Sequence, residues 1–394
     1  MKSVGVFLGI SPSSGGMFQY AQSLLEALRQ YAASGARVEI AYVEALWEPI
    51  LAKYPYRASR VAAGRAGLRL STLLLVARVP AWLCKKLSSL NPVTRVLRSL
   101  HCDMWIFPAQ DALTYQIPFP AIGTVHDLMH RYESRFPEVS ESGRFKIREH
   151  RFGNLVRHAS AVLVDSQLGK EHVIESYGGD AEKIFVLPYI APAYITLPEP
   201  TDFDQKYRLP SKFLFYPAQF WEHKNHRRLL DAAARVATRH ADVHLVFAGG
   251  HGHQYEQVKA HANTLGIAER VMFPGFVPDA YLSGFYRRAR ALVMPTFFGP
   301  TNIPPLEAFA CGCPAAVSNI YAMPEQTKGA ALLFDPLSSD DIERTIELLW
   351  TDDQLCEQLR VAGLDHAKVW GQDQFAHVLI KNLDATRRDL LMLN

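Results

Sequence analysis

Signals for disulfide bonds, zinc sites and membrane-spanning helices are missing from this sequence. Its five cysteines are scattered, and Cys311-Gly-Cys313 has no second pair at the spacing of a zinc site. The apolar run at residues 73–76 is broken by Arg78 and Pro80, well short of the ~20 residues that a spanning helix needs. The first residues also lack the charged region, apolar core and cleavage site of a signal peptide. We therefore expect reduced thiols and a cytoplasmic location.

Acidic residues are absent between Pro49 and Cys102. That stretch nevertheless carries ten cations: Lys53, Arg57, Arg60, Arg65, Arg69, Arg78, Lys85, Lys86, Arg95 and Arg98. Leucine, valine and tryptophan are interleaved with them, which is typical of an amphipathic surface on anionic lipid. A basic helical hairpin that is solvated or partly buried has the same composition. The stretch thus predicts contact with an anionic membrane, at the inner face of the cytoplasmic membrane, with a plain hairpin as the alternative.

The length of 394 residues suits two domains better than one. Short β-branched or aromatic runs alternate with helical periodicity in both halves, which predicts an α/β protein with two parallel sheets. Strands are expected near residues 4–8, 38–43, 104–107, 121–125, 161–164 and 184–187, and then near 213–216, 243–248, 271–273, 291–294, 315–317 and 331–334. Residues 188–210 contain five prolines and no periodicity, so we interpret them as a linker. The predicted domains are residues 1–190 and 205–369.

Ligands of open parallel sheets lie beyond the carboxyl ends of the strands, so the strand-to-helix loops are the candidate sites. Gly15 and Gly16 follow the first strand, where glycine lets backbone N–H groups approach an anion; an ordinary tight turn fits equally well. The loop is not a GxGxxG fingerprint, which disfavours a nicotinamide cofactor. His126 and Asp127 end another strand, where the imidazole can donate a hydrogen bond or shuttle a proton. A helix-capping Asp127 beside an incidental histidine is the alternative.

Two loops of the second half combine charge with a predicted helix start. Asn225 is the predicted N-cap of one helix, and Lys224 then projects at the positive end of its dipole, where it can neutralise a diphosphate. A solvated basic helix start is the alternative. Residues 303–310 form a second predicted helix, with prolines in its first turn and Gly312 just past its end. Glu307 is expected near that start, where it complements the helix dipole or accepts hydrogen bonds from the vicinal hydroxyls of a ribose.

Taken in this order, the loops resemble those of the GT-B glycosyltransferases of family 4, a retaining group with many bacterial polysaccharide and lipid mannosyltransferases. The most specific pieces are Lys224-Asn225 before a Leu-Leu helix, the run Pro304-Pro305-Leu306-Glu307, and Gly275-Phe276-Val277. The resemblance covers nearly the whole chain. It implies two Rossmann-like domains that face a central cleft, with a terminal helix at about 370–394 packing back on the first. It also implies transfer with retention, no metal and no cofactor.

The resemblance also implies a role for each matched position. Lys224 would hold the diphosphate, and Glu307 would bind the ribose hydroxyls. Gly15 and Gly16 would close over the diphosphate, and Gly249 and Gly250 would lie in the donor site. Phe276 and Val277 would border the base, and the N–H groups around Thr301, Asn302 and Ile303 would bind the donor's sugar and phosphate. His126 and Asp127 would serve the sugar site and catalysis.

Two positions depart from the family's pattern. The family has a glutamate eight residues before the second one, followed by Gly-Phe-Gly; here Gly299 stands there, followed by Pro300-Thr301-Asn302. The basic residue that usually accompanies the lysine is replaced by Gln219. We expect the loop at Gly299 to determine the choice of donor sugar, since Thr301 or Asn302 can still hydrogen-bond a sugar hydroxyl.

The predicted reaction moves a hexose from a nucleoside-diphosphate sugar, with GDP-mannose as the first candidate. The expected acceptor is a saccharide or a lipid-linked saccharide in the synthesis of bacterial surface polysaccharide such as lipopolysaccharide. Two other functions remain open: a GT-B-like epimerase or phosphorylase, and a non-catalytic module that binds nucleotide sugars or nucleic acid. Nucleic acid is not the expected partner, and its binding would depend steeply on salt.

Overall fold

The structure is a computed structural model that describes residues 2–11 and 15–392. The chain divides into two compact units. The first comprises Met1–Tyr189 together with Gln372–Asn394, and the second comprises Ile190–Gly371. Each unit is built on one parallel β-sheet with helices between the strands.

The first unit contains a seven-stranded sheet in the order β3-β2-β1-β4-β5-β6-β7. Its strands are β1 (Ser3–Leu8), β2 (Arg37–Tyr42), β3 (Arg57–Arg60), β4 (Met104–Ile106), β5 (Ala121–Val125), β6 (Ala161–Val164) and β7 (Ile184–Val186). All neighbours pair in parallel. The strand order reverses direction between β1 and β4, which is the switch point where such sheets bind ligands.

The helices of the first unit up to the domain boundary are short or of medium length. They are α1 (Gly16–Ala33), α2 (Glu48–Leu51), α3 (Gly64–Val76), α4 (Ala81–Leu87), α5 (Pro92–Ser99), α6 (Leu113–Gln116), α7 (Met129–Tyr132), α8 (Pro137–Ser140), α9 (Arg144–His158) and α10 (Gln167–Tyr177). Four 3-10 turns join them: Ala45–Trp47, Ser88–Leu90, Glu141–Gly143 and Ala181–Lys183.

The core of the first unit lies on the faces of this sheet. All six residues of β1 are buried, as expected for a central strand that is covered on both sides. Phe7 packs against Phe107, with ring centres 5.7 Å apart, and both belong to a cluster with Trp105 and Leu97. Burying each of these large apolar side chains contributes about 1.5–3 kcal/mol, so the switch point rests on a rigid base.

Strand β3 is the one strand in the described residues that the sequence did not predict. It pairs with β2 at the edge of the sheet, and three of its four residues are exposed. Arg57 and Arg60 bound it. An exposed edge strand needs no apolar alternation, and charge on it discourages pairing with other chains, so hydrophobic patterning cannot reveal it.

The second unit contains a six-stranded parallel sheet in the order β10-β9-β8-β11-β12-β13. Its strands are β8 (Leu214–Pro217), β9 (Leu245–Ala248), β10 (Val271–Gly275), β11 (Ala291–Met294), β12 (Ala315–Ser318) and β13 (Leu332–Phe334). The order repeats that of the first unit, with the switch point now between β8 and β11. The expectation of two Rossmann-like α/β sheets is confirmed.

The helices of the second unit follow its strands in turn. They are α11 (Phe203–Tyr207), α12 (His226–Ala237), α13 (Tyr255–Thr264), α14 (Asp279–Arg288), α15 (Ile303–Ala310), α16 (Met323–Thr327), α17 (Ser339–Thr351) and α18 (Asp353–Val369), with 3-10 turns at Ala193–Thr196, Glu222–Lys224 and Ala268–Arg270. Among the described residues, no helix has the length and apolarity that crossing a bilayer requires.

Most of the predicted linker is packed structure. Residues 190–210 belong to the second unit, and Ile195, Phe203 and Tyr207 are buried there. Phe203 lies 5.3 Å from Phe285 of α14, measured between ring centres. The prolines interrupt regular structure in these short segments, so the apolar residues do not recur at helical spacing. Each of these residues is buried by contacts within the second unit, not as part of a regular helix face.

The final helix, α19 (Gln372–Met392), belongs to the first unit and packs on α1. Phe375 is fully buried and its ring meets that of Tyr20 edge-on. Lys2 and Asp384 form an ion pair at 2.8 Å, and Arg387 bonds Asp103 at 2.8 Å. Exposed pairs of this kind add little stability, so apolar burial holds the helix.

Candidate functional site

The turn that carries Lys224 is held by hydrogen bonds to the loop after β11. Asn225 Nδ2 donates to the carbonyls of Pro295 (2.9 Å) and Pro336 (3.0 Å), and the Phe297 amide donates to the carbonyl of His223 (2.7 Å). The two loops that flank the switch point of the second unit are therefore joined. Asn225 does precede α12, but its φ is +60° and its side chain makes no capping bond. The N-cap prediction was wrong about the side chain, because the amide is used between loops.

Lys224 is a cation at this switch point, and Gln219 adds no charge to it. Lys224 ends a 3-10 turn and is half-buried, while its carbonyl accepts a bond from the Tyr216 hydroxyl (3.0 Å). Gln219 is exposed, and its Oε1 accepts from Trp221 Nε1 at 2.5 Å. Lys224 lies just before the N-terminus of α12, so its charge and the helix dipole have the same sign there. Both favour an anion.

Of Gly249 and Gly250, which follow β9, only the first is required to be glycine by its surroundings. A β-carbon at Gly249 would lie 2.1 Å from the carbonyl oxygen of Ala218, so the two loops approach too closely for any side chain. Gly250 has nothing within 4 Å of such a carbon.

After β10, Phe276 is 74% exposed whereas Val277 is buried. Of that pair, only Phe276 presents an aromatic face on which a base can stack.

Glu307 lies in the middle of α15, whereas the sequence predicted a position near the start of this helix. The helix begins at Ile303, so Glu307 is its fifth residue, and it is buried. Tyr286 donates its hydroxyl to Glu307 Oε2 at 2.6 Å, and Tyr194 donates to Oε1. Burial raises the pKa of Glu307 above its usual range, against the lowering effect of both hydroxyls. In this structure the carboxylate is a buried acceptor that two tyrosines already use.

The loop between β11 and α15 is closed by its own hydrogen bonds. Gly299 has a φ of +128°, which favours glycine, and Asn302 Nδ2 donates to its carbonyl at 3.3 Å. The Asn302 amide donates to Gln326 Oε1 (3.0 Å), and Gln326 Nε2 donates back to the Asn302 carbonyl (2.7 Å). The N–H of Asn302, predicted to bind the donor, is therefore committed to Gln326. Thr301 is buried and Ile303 is half-buried; their assignments stay predictions.

A cavity of about 400 Å³ lies beside the turn that carries Lys224. It is lined by Trp221, Glu222, Asn225, His226, Arg227, Arg228, Asp231, Gln254, Val258 and Phe297. Lys224 and Glu307 are not among these described lining residues, so the cavity by itself does not mark a donor site.

His226 is 2% exposed, and neither ring nitrogen has a partner among the described residues. Burial, with the nearby Lys224 and His223, lowers the pKa of His226 to about 3.

In the first unit, Gly15 and Gly16 begin α1. Gly15 has φ +58° and ψ −126°, a conformation that essentially only glycine adopts, and its carbonyl accepts from the Phe18 amide at 3.0 Å. Both glycines are exposed. Residues 12–14 of the predicted loop lie outside the described residues. This backbone conformation explains why residue 15 is glycine. Closure of the loop over a diphosphate stays a prediction.

His126 has both ring nitrogens engaged within the first unit. Nε2 lies 2.8 Å from the carbonyl oxygen of Pro108, and Nδ1 lies 2.6 Å from the hydroxyl of Tyr189. A carbonyl only accepts, so Nε2 carries the proton and Nδ1 accepts from Tyr189. Burial lowers the pKa of His126. Both ring nitrogens are therefore engaged in this structure, and the predicted role of His126 as a hydrogen-bond donor or proton shuttle in the sugar site stays a prediction.

Asp127 stands one position before the N-cap residue of α7, Leu128, but its side chain bonds the first amide of that helix, close to the helix-capping role given above as the alternative. Its Oδ1 accepts from the amide of Met129 (3.0 Å), two residues along at the start of α7, and from Arg148 of α9 (3.1 Å). Burial would raise the pKa of Asp127, but Arg148 and the Met129 amide outweigh it and hold the pKa below its usual range. A carboxylate with a lowered pKa holds a proton weakly, so Asp127 is a weak general base. A catalytic role for Asp127 stays a prediction.

His126 with His130, and His251 with His253, have a sequence spacing that metal ligands can have. Neither pair belongs to a metal site in the described ranges, 2–11 and 15–392, where no group of three ligating side chains comes together. His130 bonds Glu149 instead, with Nε2 2.7 Å from Oε1. The residues that sequence reasoning missed are Tyr189, Tyr194, Tyr286 and Gln326. Tyrosine and glutamine carry no motif, and Tyr194 lies 113 positions from Glu307. No local signal in the sequence points to them.

Residues 199–365, which include the Lys224 turn and Glu307, match the family model described as Glycosyl transferases group 1. Serotype-specific mannosyltransferase WbdA of Escherichia coli is 25% identical over 279 residues, which cover 67% of this chain and 33% of WbdA. O-antigen chain mannosyltransferase B of Escherichia coli is 27% identical over 255 residues, covering 63% of this chain and 66% of that protein. The chain thus matches about a third of the length of WbdA.

Among solved structures, HepE from Anabaena in complex with UDP and glucose has a TM-score of 0.73 at 17% identity, and the match covers 98% of this chain and 100% of that one. At this identity the likeness shows the fold alone. Together with the two parallel-sheet units it establishes the GT-B fold, and the family match supports a glycosyltransferase.

Proposed function

We propose that this GT-B chain is a retaining glycosyltransferase that moves mannose from GDP-mannose to a saccharide or lipid-linked saccharide in bacterial surface polysaccharide synthesis. The observation that carries the proposal is the switch point of the second unit. Lys224, the N-terminus of α12 and the loop after β11 meet there, inside the segment that matches the glycosyl transferase model. A cation at a helix N-terminus suits the diphosphate of a sugar nucleotide.

The names of the relatives support the donor sugar. WbdA and O-antigen chain mannosyltransferase B are both named for mannose transfer, and HepE is described with UDP and glucose bound. A nucleotide sugar is therefore the donor class that we propose, and mannose is the sugar. Asn302 and Thr301 replace part of the family motif in the loop at Gly299, which we propose selects that sugar.

The proposed step breaks the bond between the anomeric carbon and the diphosphate, and forms the bond to the acceptor oxygen on the same face. The departing diphosphate takes the proton of the acceptor hydroxyl. Lys224 and the dipole of α12 would stabilise the departing charge. We propose that no metal and no cofactor takes part, since Lys224 supplies the cation. The five free cysteines fit a reducing compartment, and we propose the cytoplasm.

A thermal-shift screen of sugar nucleotides tests the donor. A ligand at a hundred times its dissociation constant stabilises the folded state by ~2.7 kcal/mol, so GDP-mannose should raise the melting temperature while free mannose does not. NMR of the product then reports the anomeric configuration. An inverted linkage overturns retention, and preference for another nucleotide overturns the donor.

Two competing functions have distinct readouts in the same material. An epimerase converts the sugar nucleotide without any acceptor, and a phosphorylase produces a sugar phosphate from inorganic phosphate. Transfer requires both donor and acceptor, and releases nucleoside diphosphate in equal amount to product. A chain that binds GDP-mannose but never releases diphosphate with any saccharide acceptor would instead be a binding module.

A further inference from the structure

The basic stretch of the first unit presents apolar side chains to solvent next to cations that have no acidic partner. We infer that this surface docks the protein on an anionic lipid bilayer. The surface, called the basic patch below, consists of Arg69, Leu73, Val76, Arg78, Trp82, Lys85, Lys86, Leu87 and Leu90. These residues lie on α3, on α4 and in the turns that follow each helix. The inference does not depend on the proposed function.

The positive charge of the basic patch is not neutralised by neighbouring carboxylates. Of the ten cations between residues 49 and 102, Arg60 pairs with Glu48 (3.5 Å) and Arg65 pairs with Glu44 (2.8 Å). The other eight, which include every cation of the patch, form no ion pair within the part of the chain that the structure describes. Unpaired cations near a membrane attract acidic headgroups, and each one adds to the attraction.

The apolar side chains of the patch are more exposed than a solvated hairpin requires. Leu73 is 65% exposed, Trp82 is 61% exposed and Leu90 is 66% exposed. Lys86 Nζ lies 5.3 Å from the centre of the Trp82 ring, so an apolar body and a charged tip stand side by side. This pairing is typical of side chains at the boundary between headgroups and acyl chains. A hairpin that only met water would have no reason to expose them together.

A narrow apolar crevice opens within the patch. It has a volume of about 50 Å³ and is lined by residues of α3, α4, the following 3-10 turn, α5 and α6, among them Leu70, Leu74 and Cys84. Leu87 and Leu90 line the crevice and are also exposed at the surface. The crevice therefore shows that these helices converge on one surface, and it gives that surface an apolar floor.

A bilayer suits this combination better than nucleic acid does. Interfaces with nucleic acid are polar and wet, and the contacts go largely to phosphate and base edges. Exposed leucine and valine gain nothing from such a partner. In a bilayer, the cations meet acidic headgroups while the leucines and Trp82 enter the acyl boundary, so both halves of the patch are used.

Co-sedimentation of the full chain with lipid vesicles tests the inference. We expect binding to vesicles of phosphatidylcholine with phosphatidylglycerol, little binding to phosphatidylcholine alone, and weaker binding as salt rises. The double variant Lys85→Gln/Lys86→Gln should bind about 25-fold more weakly, which is about fivefold for each cation lost. The matched control is Lys381→Gln/Arg388→Gln, which removes two exposed cations from α19 and should bind like the wild type.

Trp82→Ala tests insertion separately from charge. This variant should weaken vesicle binding while leaving its salt dependence unchanged, since it keeps every cation. Thermal unfolding confirms that each variant is folded, which we expect because Lys85 is only half-buried and the other replaced side chains are exposed. Binding that is equal on neutral vesicles, or equal in the Lys85→Gln/Lys86→Gln variant and its control, overturns the inference. Tighter binding of single-stranded oligonucleotides than of vesicles overturns it in favour of nucleic acid.

Discussion

The side-chain amide of Asn302 occupies the space that any side chain at residue 299 would need. A β-carbon built on Gly299 would lie 2.5 Å from Asn302 Nδ2, and Gly299 holds a φ of +128°. In the family that this chain resembles, a glutamate stands at the first position and a glycine at the second. In this structure the Asn302 side chain fills the space beside residue 299, so the differences from the family at residues 299 and 302 form a single change of packing.

Gly299→Ala should destabilise the protein by about 1–3 kcal/mol, because the new methyl overlaps Asn302 and the backbone is strained. Asn302→Gly in the same chain should recover the part that is due to overlap. Chemical denaturation of both single variants and the double variant measures the coupling. Strictly additive changes in the free energy of unfolding would show that the two residues do not compete for space.

Gly249→Ala and Gly250→Ala form a matched pair in the same loop. The first should destabilise strongly and disturb the loop, because its β-carbon would meet the Ala218 backbone at 2.1 Å, while the second should leave stability almost unchanged. If Gly250 lies in the donor site, its variant should still lose donor binding in a thermal-shift titration. A stable Gly250→Ala protein that binds donor normally removes Gly250 from the site.

Replacing the tyrosine that bonds Glu307 should reveal how the buried carboxylate is held. Tyr286→Phe removes the donor at 2.6 Å and should cost about 1–3 kcal/mol of stability, because it leaves a buried oxygen short of a partner. It should also raise the pKa of Glu307 further, since that hydroxyl lowers it. Denaturation across a pH series checks this: the variant should become relatively less stable as pH rises, when the carboxyl must ionise.

A separate pair of variants tests the donor role of Glu307. Glu307→Gln keeps the shape of the side chain and should abolish most of the thermal stabilisation by GDP-mannose, because an amide offers a ribose diol only one acceptor oxygen. Glu269→Gln, on the exposed turn Ala268–Arg270, is the control. Equal stabilisation of both variants by the donor would mean that the buried carboxylate is purely structural.

Lys224→Gln should weaken sugar-nucleotide binding and make the remaining binding less sensitive to salt, because the charge that meets the diphosphate is lost. Lys259→Gln removes an exposed cation from α13 and serves as the control. Titration with GDP and with GMP separates the contributions, since the second phosphate should matter in the wild type and much less in the variant. An unchanged preference for GDP would place the diphosphate elsewhere.

His226 should make the protein sensitive to mild acid. Its pKa is about 3 in the folded chain against an ordinary value of 6.5, so its stabilising contribution is present above pH 6.5 and declines as pH falls. At pH 5 the unfolded state already gains about 2 kcal/mol from protonating this side chain. His226→Phe keeps an aromatic ring among Tyr216, Phe220 and Phe247. It should remove the part of the pH dependence of the free energy of unfolding that is due to His226. Denaturation at pH 7 and pH 5 measures the difference, and an equal slope in both proteins contradicts it.

Local patterns in the sequence predicted most of the fold. Each of the twelve expected strands is present. Most of them are covered on both faces, and such a strand is apolar along its length, which shows within a few residues. Gly312, expected just past the end of a helix, has φ +66° after α15. Strand β3 and the packed residues of the supposed linker were missed, since neither has a periodic pattern that a short window can detect.

The sequence by itself determined where the candidate loops lie, which residues they carry and which parallel sheets they end. It also determined that a cation, Lys224, precedes a helix. Only the tertiary structure decided which groups remain available: Tyr189 and Pro108 take the nitrogens of His126, Tyr286 bonds Glu307, and Gln326 takes the Asn302 amide. Strand positions follow from neighbours along the chain, whereas the partners of a buried polar group come from distant segments that only packing brings together.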